Sequence, residues 1–278
     1  MNEKNSGTLF LIPTPIGNLD DLTFRALKIL KQVDLLLCED TRHTQILLDH
    51  YEIQVPKLSF HEHNSHRRIP EVVEKLKSGL NLGLVSDAGM PVISDPGVDL
   101  VQYLRKREIP VVALPGANAA LTALVGSGMI ALPYVFLGFL PRTIKEIKEV
   151  LNKTPQMTTL FYESPYRIVK TLEIISQIDE NWELCIAREL TKIHEEYFEG
   201  RAFEALEHFK QFPPKGEFVV ILTPRIIEIV APSEEKWQEE ITLAIEAGDA
   251  PNLAIKNFAK KYNLERKIVY DVYHNLNR

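Results

Sequence analysis

Cysteine is scarce in this sequence, which has only Cys38 and Cys185 among its 278 residues. Two thiols are too few for a disulfide framework or for the ligand set of a structural zinc site. The first residues, MNEKNSGT, are polar and lack the apolar stretch of a signal peptide. We therefore expect a protein of a reducing compartment, and the cytoplasm is the expected location.

Positive charge is also in short supply. The net charge is −6 at pH 7, and the isoelectric point is about 5.8. A protein that coats nucleic acid without selectivity is usually basic overall, so this class is disfavoured. A local basic surface is compatible with the overall balance.

Charged side chains are absent from residues 109–141, a stretch long enough to cross a bilayer. Prolines and glycines interrupt it, at Pro110, Pro115, Gly116, Gly126, Gly128, Pro133, Gly138 and Pro141. In lipid, these breaks would leave backbone N–H and C=O groups unsatisfied. We therefore expect buried strands and one helix here, and no membrane segment.

Apolar runs of strand length alternate with segments of helical period along the first 115 residues. The predicted strands are TLFLIP, VDLLLCE, PKLSF, NLGLVS and IPVVAL, with a helix after each of the first four. Near-continuous apolar strands separated by helices indicate a parallel sheet that is covered on both faces.

The pattern then changes to that of a mixed sheet. The predicted strands are PYVFLGF, MTTLFYE, ELCIARE, HEEYFEG and GEFVVIL. The third and fourth are close enough to form an antiparallel hairpin. After LTPR the pattern is wholly helical. The predicted fold class is α/β, with two αβα domains at residues 1–115 and 116–224 and a small helical appendage at 225–278.

All five strands of the predicted parallel sheet lead into loops of unusual composition. These loops are PTPIGNLDD, CEDTRHT, HEHNSH, SDAGMPVISDPG and PGANA. The carboxyl ends of parallel strands share one edge of a sheet, and open α/β sheets bind their ligands there. The loop at residues 86–97 is much longer than an ordinary connection of this kind, so it is the first candidate for a binding loop.

Ionisable side chains cluster at several strand ends. CEDTRHT contains Asp40 and His43, FYESPYR contains Glu163, and ARELTK contains Arg188 and Lys192. The alternative interpretation of Asp40 is a helix N-cap, and that of the others is a cluster of surface ion pairs.

Histidines in one loop raise the question of a metal. His61, His63 and His66 stand beside Glu62. Their spacing is not that of a known metal site, and histidines in loops commonly face solvent. No metal is predicted.

Nine motifs together carry a family resemblance. They are PTPIGNLDD, EDTRHT, SDAGMPVISDPG, LPGANAA, FLGFLPR, FYESPYR, ARELTK, HEEYFEG and KGEFVV, in this order. With them the chain resembles the small-subunit ribosomal RNA methyltransferases of the tetrapyrrole-methylase superfamily, densely over residues 8–223 and more loosely beyond. One departure is Met90, where the family usually has Thr after SDAG. It removes a hydroxyl contact and leaves a backbone contact intact.

The resemblance implies a cofactor, a substrate and an assembly. It implies S-adenosylmethionine bound in the cleft between two αβα domains, and a homodimer. It also implies 2′-O-methylation of a cytidine in the decoding region of the 16S ribosomal RNA, with the small ribosomal subunit as partner. The cofactor residues implied are Pro15, Gly17, Asp87, Ala88, Gly89, Ser94, Asp95, Asn118, Ala119, Ala120, Tyr162 and Ala187.

The chemistry narrows the catalytic candidates without choosing among them. Methyl transfer from a sulfonium needs no metal, but the 2′ oxygen must be held in line with the methyl group. A ribose hydroxyl is a weak nucleophile, so a general base helps. The candidate bases are Asp40, His43 and Glu163, while Arg188 or Lys192 would lower the pKa of the hydroxyl or hold a phosphate.

Two other functions are consistent with the sequence. A methylase of the same superfamily could act on a tetrapyrrole or on a protein side chain. A non-catalytic ribosome-assembly factor could keep the fold and bind RNA. EDTRHT and ARELTK favour the RNA enzyme, and the extra helical segment fits a large substrate.

Charge is uneven in the helical appendage. Residues 225–250 carry two basic and seven acidic side chains, whereas residues 251–278 carry six basic and two acidic. The later piece is predicted to form two short helices that resemble a helix-turn-helix, and a packed tail with solvated lysines is the alternative. Its basic side chains available to face outward are Lys256, Lys260, Lys261, Arg266 and Lys267.

Overall fold

The computed structural model describes residues 6–130, 132–154, 156–212, 214–225, 234–262 and 264–275. The contacts divide the chain after Arg225 into two compact units. The first unit contains two sheets, and the predicted boundary at residue 115 falls between the last strand of the first sheet and the next helix.

The first sheet is parallel throughout, as predicted. Its strands are β1 (Leu9–Leu11), β2 (Leu35–Cys38), β3 (Lys57–Ser59), β4 (Leu82–Val85) and β5 (Val111–Ala113). They lie in the order β3-β2-β4-β1-β5. The central pairing places β4 between β1 and β2, so the loops that follow these three strands are neighbours at one edge.

The second sheet is mixed, also as predicted. Its strands are β6 (Tyr134–Phe139), β7 (Thr158–Glu163), β8 (Glu183–Arg188), β9 (Glu196–Arg201) and β10 (Phe218–Leu222). The order is β6-β7-β10-β8-β9, and β8 and β9 form the expected antiparallel hairpin. Because β10 runs antiparallel to both β7 and β8, its first residue lies beside the last residues of those two strands.

In the described part of the first unit, eight α-helices cover the sheets. They are α1 (Phe24–Leu30), α2 (Thr41–His50), α3 (Ser65–Lys77), α4 (Val98–Arg105), α5 (Ala119–Gly126), α6 (Ile144–Asn152), α7 (Ile168–Ile178) and α8 (Ala202–Gln211). Side-chain caps begin several of them: the Thr23 hydroxyl accepts from the Ala26 N–H at 3.1 Å at the start of α1. Helix α3 begins at Ser65 and includes Pro70.

Alternating side chains of the first sheet enter two separate cores. Leu9, Leu82 and Leu84 pack under α3 and α4 on one face. Leu36 and Cys38 pack with α1 and α2 on the other. The sheet is therefore buried on both faces, which explains why its strands are apolar at nearly every position.

The second sheet likewise has a core on each face. Helices α6, α7 and α8 cover one face around Phe161 and Trp182. Helix α5 covers the other, where Ile16 from the loop after β1 joins Leu160, Cys185 and Val219 in the same apolar cluster. This shared cluster holds the loop edge of the first sheet against the second sheet.

The described residues of the second unit form three helices, α9 (Glu234–Glu246), α10 (Pro251–Lys261) and α11 (Arg266–Asn275). Trp237, Ile255, Phe258 and Val269 are among the apolar residues that form its core. The two short basic helices are thus present as predicted. All five basic side chains are exposed: Lys256, Lys260, Lys261, Arg266 and Lys267. Lys261 is not free, because its ammonium pairs with Glu240 of α9.

The uncharged stretch at 109–141 forms β5, α5 and β6, as expected from its prolines and glycines. Within the described residues, no helix has the length and apolarity that crossing a membrane requires.

Candidate functional site

The loop at residues 86–97 forms one wall of a cleft. It is tied to the loop after β1 by two backbone hydrogen bonds between Thr14 and Gly89, at 2.9 and 3.0 Å. Gly89, Val92 and Ser94 all have positive φ, at 78°, 77° and 65°. Positive φ is costly for Val and Ser, and such strained residues concentrate at binding and catalytic sites.

The cleft has a volume of about 460 Å³, within the range of small-molecule sites. Both sheets contribute to its lining. The predicted site residues that line it are Asp87, Ala88, Gly89, Ser94, Asp95, Asn118, Ala119, Tyr162 and Glu163. The structure therefore brings together most of the residues expected to hold a cofactor, from sequence positions up to 75 apart.

Five acidic residues line the cleft, and three of them, Glu39, Asp87 and Asp95, lie close enough for their charges to interact. Burial raises the pKa of Asp95 to about 6, and the neighbouring charges of Glu39 and Asp87 add to the effect. Burial, followed by the charge of Asp87, also raises the pKa of Glu39. Like charges this close favour either a proton or a cationic ligand, so the cleft is suited to a positively charged molecule.

The opposite wall is formed by α5 and β7. Asn118 caps α5, and its side-chain oxygen accepts from the Leu121 N–H at 3.0 Å. Burial raises the pKa of Tyr162, while a hydrogen bond with the Ala120 backbone opposes that shift. The Tyr162 ring meets Phe139 edge-on with their centroids 5.6 Å apart.

Ala120 and Ala187 are buried beneath this wall rather than in the cleft lining. Both belong to the apolar cluster under α5. Their part is to let α5 and β8 pack closely behind the cleft.

A second, smaller cavity of about 230 Å³ lies beside the first. Pro15, Gly17 and His43 line it, and Asp87 lines both cavities. Most of the predicted site residues thus line one of two neighbouring cavities, which meet at Asp87.

Gly17 is held against the loop after β8. A Cβ at this position would lie 2.6 Å from Lys192 Cγ, 2.8 Å from Thr191 Oγ1 and 2.9 Å from the Leu190 carbonyl oxygen. Only glycine fits here without displacing the loop after β8. This contact therefore joins the loop after β1 of the first sheet to the second sheet, next to the smaller cavity.

Asp40 is the N-cap of α2, the alternative that the sequence left open. Its carboxylate accepts from the Arg42 backbone at 2.8 Å and pairs with the Arg42 guanidinium at 3.0 Å. These hydrogen bonds lower the pKa of Asp40 to about 2. Asp40 lines neither cavity, although its backbone N–H donates to Asp87 at 3.1 Å.

Arg188 and Lys192 are engaged in ion pairs. Arg188 donates to the Lys215 carbonyl at 2.8 Å and pairs with Glu196 at 3.1 Å. Lys192 pairs with Glu189 at 2.8 Å and Glu217 at 3.0 Å, and these carboxylates raise its pKa against the opposing effect of burial.

Glu163 lies at the cleft edge with its carboxylate turned into the protein. It is 3% exposed and accepts from the Ser164 N–H at 2.8 Å and the Thr171 hydroxyl at 2.7 Å. The Arg167 Nε lies 3.4 Å from the same carboxylate. The residue therefore organises the loop that follows β7.

Sequence reasoning missed several residues of the cleft lining. Glu39 was visible in the EDTRHT motif but was not selected, and Ile16 and Leu190 gave no chemical signal. The segment Gly216–Val219 also lines the cleft, because β10 begins between the ends of β7 and β8.

No group of three or more His, Cys, Asp or Glu residues within the described part of the chain is arranged to hold a metal ion. His61 and His63 face each other with ring centroids 6.0 Å apart, and His66 lies 3.5 Å from Asp99 instead.

Comparison with known proteins identifies the family of this chain. Residues 8–206 match the model of the tetrapyrrole (corrin/porphyrin) methylases. Proteins named ribosomal RNA small subunit methyltransferase I match nearly the whole chain. The one from Streptococcus pyogenes serotype M1 is 45% identical over 99% of this chain and 97% of its own. The Bacillus subtilis one is 43% identical over 98% and 96%. The chain belongs to the tetrapyrrole methylases, in the ribosomal RNA small subunit methyltransferase I family.

A Thermotoga maritima protein of the same name is 47% identical and matches 98% of its own length to 78% of this chain. A member of this family can therefore be shorter than this chain by a segment comparable in length to the second unit.

Two solved structures share the fold. Diphthine synthase superposes with a TM-score of 0.60 at 14% identity, covering 78% of this chain and 90% of its own. Uroporphyrin-III C-methyltransferase from Thermus thermophilus, complexed with S-adenosylhomocysteine, gives 0.57 at 16% identity, covering 78% and 97%.

Proposed function

We propose that the chain transfers a methyl group from S-adenosylmethionine to the 2′ oxygen of a cytidine in the decoding region of small-subunit 16S ribosomal RNA. The names of relatives that are 43–45% identical over nearly the full length support the ribosomal RNA substrate. The cytidine, the 2′ oxygen and the decoding region rest on the motif resemblance alone.

S-adenosylmethionine is the methyl donor, and the acidic cleft is the observation that fits it best. This cofactor carries positive charge on its sulfur and on its amino group, and supplies an electrophilic methyl group when bound. Asp87, Asp95 and Glu39 would offer it a negative lining, while Gly89 would let the backbone approach. A related structure bound to S-adenosylhomocysteine supports the same choice.

His43 is the proposed general base. The carboxylates of Asp40 and Glu163 are already bound by Arg42 and by Thr171. The side chain of His43 is exposed in the smaller cavity and has no hydrogen bond with the described residues. A neutral imidazole there could accept the proton of the 2′ hydroxyl, a contribution of typically about 10²–10⁴ in rate.

The experiment combines binding with product mapping. Calorimetric titration with S-adenosylmethionine, after treatment with a chelator, should show binding without metal. Incubation of unmethylated small subunits with labelled cofactor, followed by nuclease mapping, should place the label on one 2′-O-methylated cytidine. Cofactor binding without transfer would favour a non-catalytic assembly factor. Transfer to a tetrapyrrole or protein instead would favour the alternative methylase.

A homodimer completes the proposal and rests on the same resemblance, whereas the cytoplasm as its location rests on the scarcity of cysteine and the polar first residues. Light scattering coupled to size-exclusion chromatography tests it. A mass near twice 31.7 kDa supports a dimer, and a mass near 31.7 kDa contradicts it.

A further inference from the structure

Tyr166 stands at the mouth of the acidic cleft with its side chain in solvent. The residue is 96% exposed, and its ring contacts no aromatic or cationic side chain among the described residues. It directly follows Ser164 and Pro165, which both line the cleft. Single exposed apolar residues are ordinary on protein surfaces, so the exposure of Tyr166 alone indicates nothing.

The support beneath Tyr166 is unusual. On one side, the buried Glu163 carboxylate holds the Ser164 N–H and the Thr171 hydroxyl. On the other side, the Arg167 guanidinium donates to the carbonyls of Leu140 and Pro141, at 3.1 and 2.8 Å. The loop is thus anchored on both sides of Tyr166, while the Tyr166 side chain remains almost fully exposed.

A free cation lies next to this anchor. Arg142 follows Pro141, whose carbonyl is bound by Arg167, and its side chain is exposed. With the described residues it forms no hydrogen bond or ion pair, unlike Arg188 and Lys192, which are paired. The interior of the cleft is acidic and would repel a phosphate. A phosphate of a bound polyanion would therefore pair with a cation at the edge of the cleft, where Arg142 lies, and not with a group inside it.

Each part of this rim matches one part of an unpaired nucleotide. An aromatic ring on an anchored loop offers a stacking face for a base, and the neighbouring arginine offers a charge for its phosphate. Ordering the loop before binding lowers the entropy that a ligand must overcome to use the ring.

We propose that Tyr166 stacks on an unpaired base of the RNA substrate that neighbours the methylated nucleotide, with Arg142 contacting the backbone phosphate. The proposal rests on the proposed RNA substrate. A nucleotide whose ribose enters the cleft must leave its stack, and its neighbour then loses a stacking partner. Tyr166 replaces that partner at the cleft mouth.

Steady-state kinetics on unmethylated small subunits tests the proposal. Tyr166→Ala should raise KM for subunits roughly ten-fold, the usual scale for losing one base–aromatic stack, while the affinity for S-adenosylmethionine changes less than about two-fold. Tyr166→Trp should restore KM, and Tyr166→Leu should not, because leucine is apolar but offers no π face. Arg142→Gln should raise KM and reduce the logarithmic salt slope by about 0.7.

Phe203→Ala is the matched control, since Phe203 is an exposed aromatic beside Glu180, at the opposite end of the second sheet. It should leave KM unchanged. Unchanged KM in Tyr166→Ala, or full restoration by Tyr166→Leu, would overturn the stacking role while wild-type activity on subunits keeps the proposed function. A wild-type protein that methylates no RNA overturns both.

Discussion

Asp95→Asn is expected to make the protein more stable, although it removes a residue of the binding cleft. Asp95 is partly buried beside Glu39 and Asp87, and its pKa rises from 3.8 to about 6. In full, that shift corresponds to about 3 kcal/mol of destabilisation of the ionised form. Because the side chain is only partly buried, solvent screening reduces the expected value to about 1 kcal/mol.

The stability difference between Asp95→Asn and the wild type should depend on pH. A raised pKa in the folded state means that the favourable contribution of protonated Asp95 is fully present below about pH 4 and is lost as the pH rises through about 6. An asparagine does not titrate. The stability advantage of Asp95→Asn should therefore be constant above pH 6 and should fall toward zero between pH 6 and pH 4.

Urea unfolding at pH 8, 6, 5 and 4.5 measures this difference directly. Asp99→Asn is the control, because Asp99, four residues further along in the first turn of α4, has an exposed side chain beside His66. An Asp95→Asn variant that is no more stable than wild type at pH 8, or whose advantage does not change with pH, would refute the reasoning. Under the proposed function, the variant should also bind S-adenosylmethionine more weakly, and wild-type affinity should fall below about pH 6.

Three further predictions test other parts of the chain. Gly89→Val should abolish cofactor binding in calorimetry, because Gly89 has φ of 78° and a Cβ there would lie 3.2 Å from Ile16; unimpaired binding would contradict this. Glu163→Ala should lower the free energy of unfolding by about 2–4 kcal/mol, since it leaves the buried Thr171 hydroxyl and the Ser164 N–H unpaired; a loss under about 0.5 kcal/mol in urea would contradict the anchoring role. Exchange of Lys256, Lys260 and Lys267 for glutamine should weaken subunit binding. It should also reduce the slope of log affinity against log salt concentration by about 0.7 per lost phosphate contact. An unchanged slope would mean that these lysines face solvent and contact no phosphate.

The order of helices and strands was predictable because burial of both faces of a sheet produces a simple pattern in the sequence. Strands of the first sheet are apolar at nearly every position, and their helices carry one apolar face. The order of strands within each sheet was not predictable from these patterns. It depends on which neighbour completes the packing of each face, and that information is not local.

The candidate site was predictable only in outline, for the same reason. Glu39 enters the cleft because β2 lies next to β4, which brings the ends of distant segments together. Lys192 is neutralised by Glu217, 25 residues away, through the position of β10 between β7 and β8. Motifs identified the loops of the site, and the strand order decided which side chains are free to act.

The two buried cysteines can serve as probes of local unfolding. Cys38 lies in the first sheet and Cys185 in the second, and each is fully buried. Burial raises the pKa of their thiols, to about 11 for Cys38 and about 12 for Cys185. Only thiolates react readily with alkylating reagents, so neither residue should be labelled in the native state.

Each sheet thus contains one buried thiol whose alkylation reports the opening of that sheet. Labelling requires an opening that exposes the strand, so the rate at each cysteine measures the free energy of opening of that sheet. Mass spectrometry of the two tryptic peptides would read both rates in one sample. Equal rates mean that the cluster around Ile16 joins the sheets into one cooperative unit, and unequal rates rank the sheets by resistance to opening.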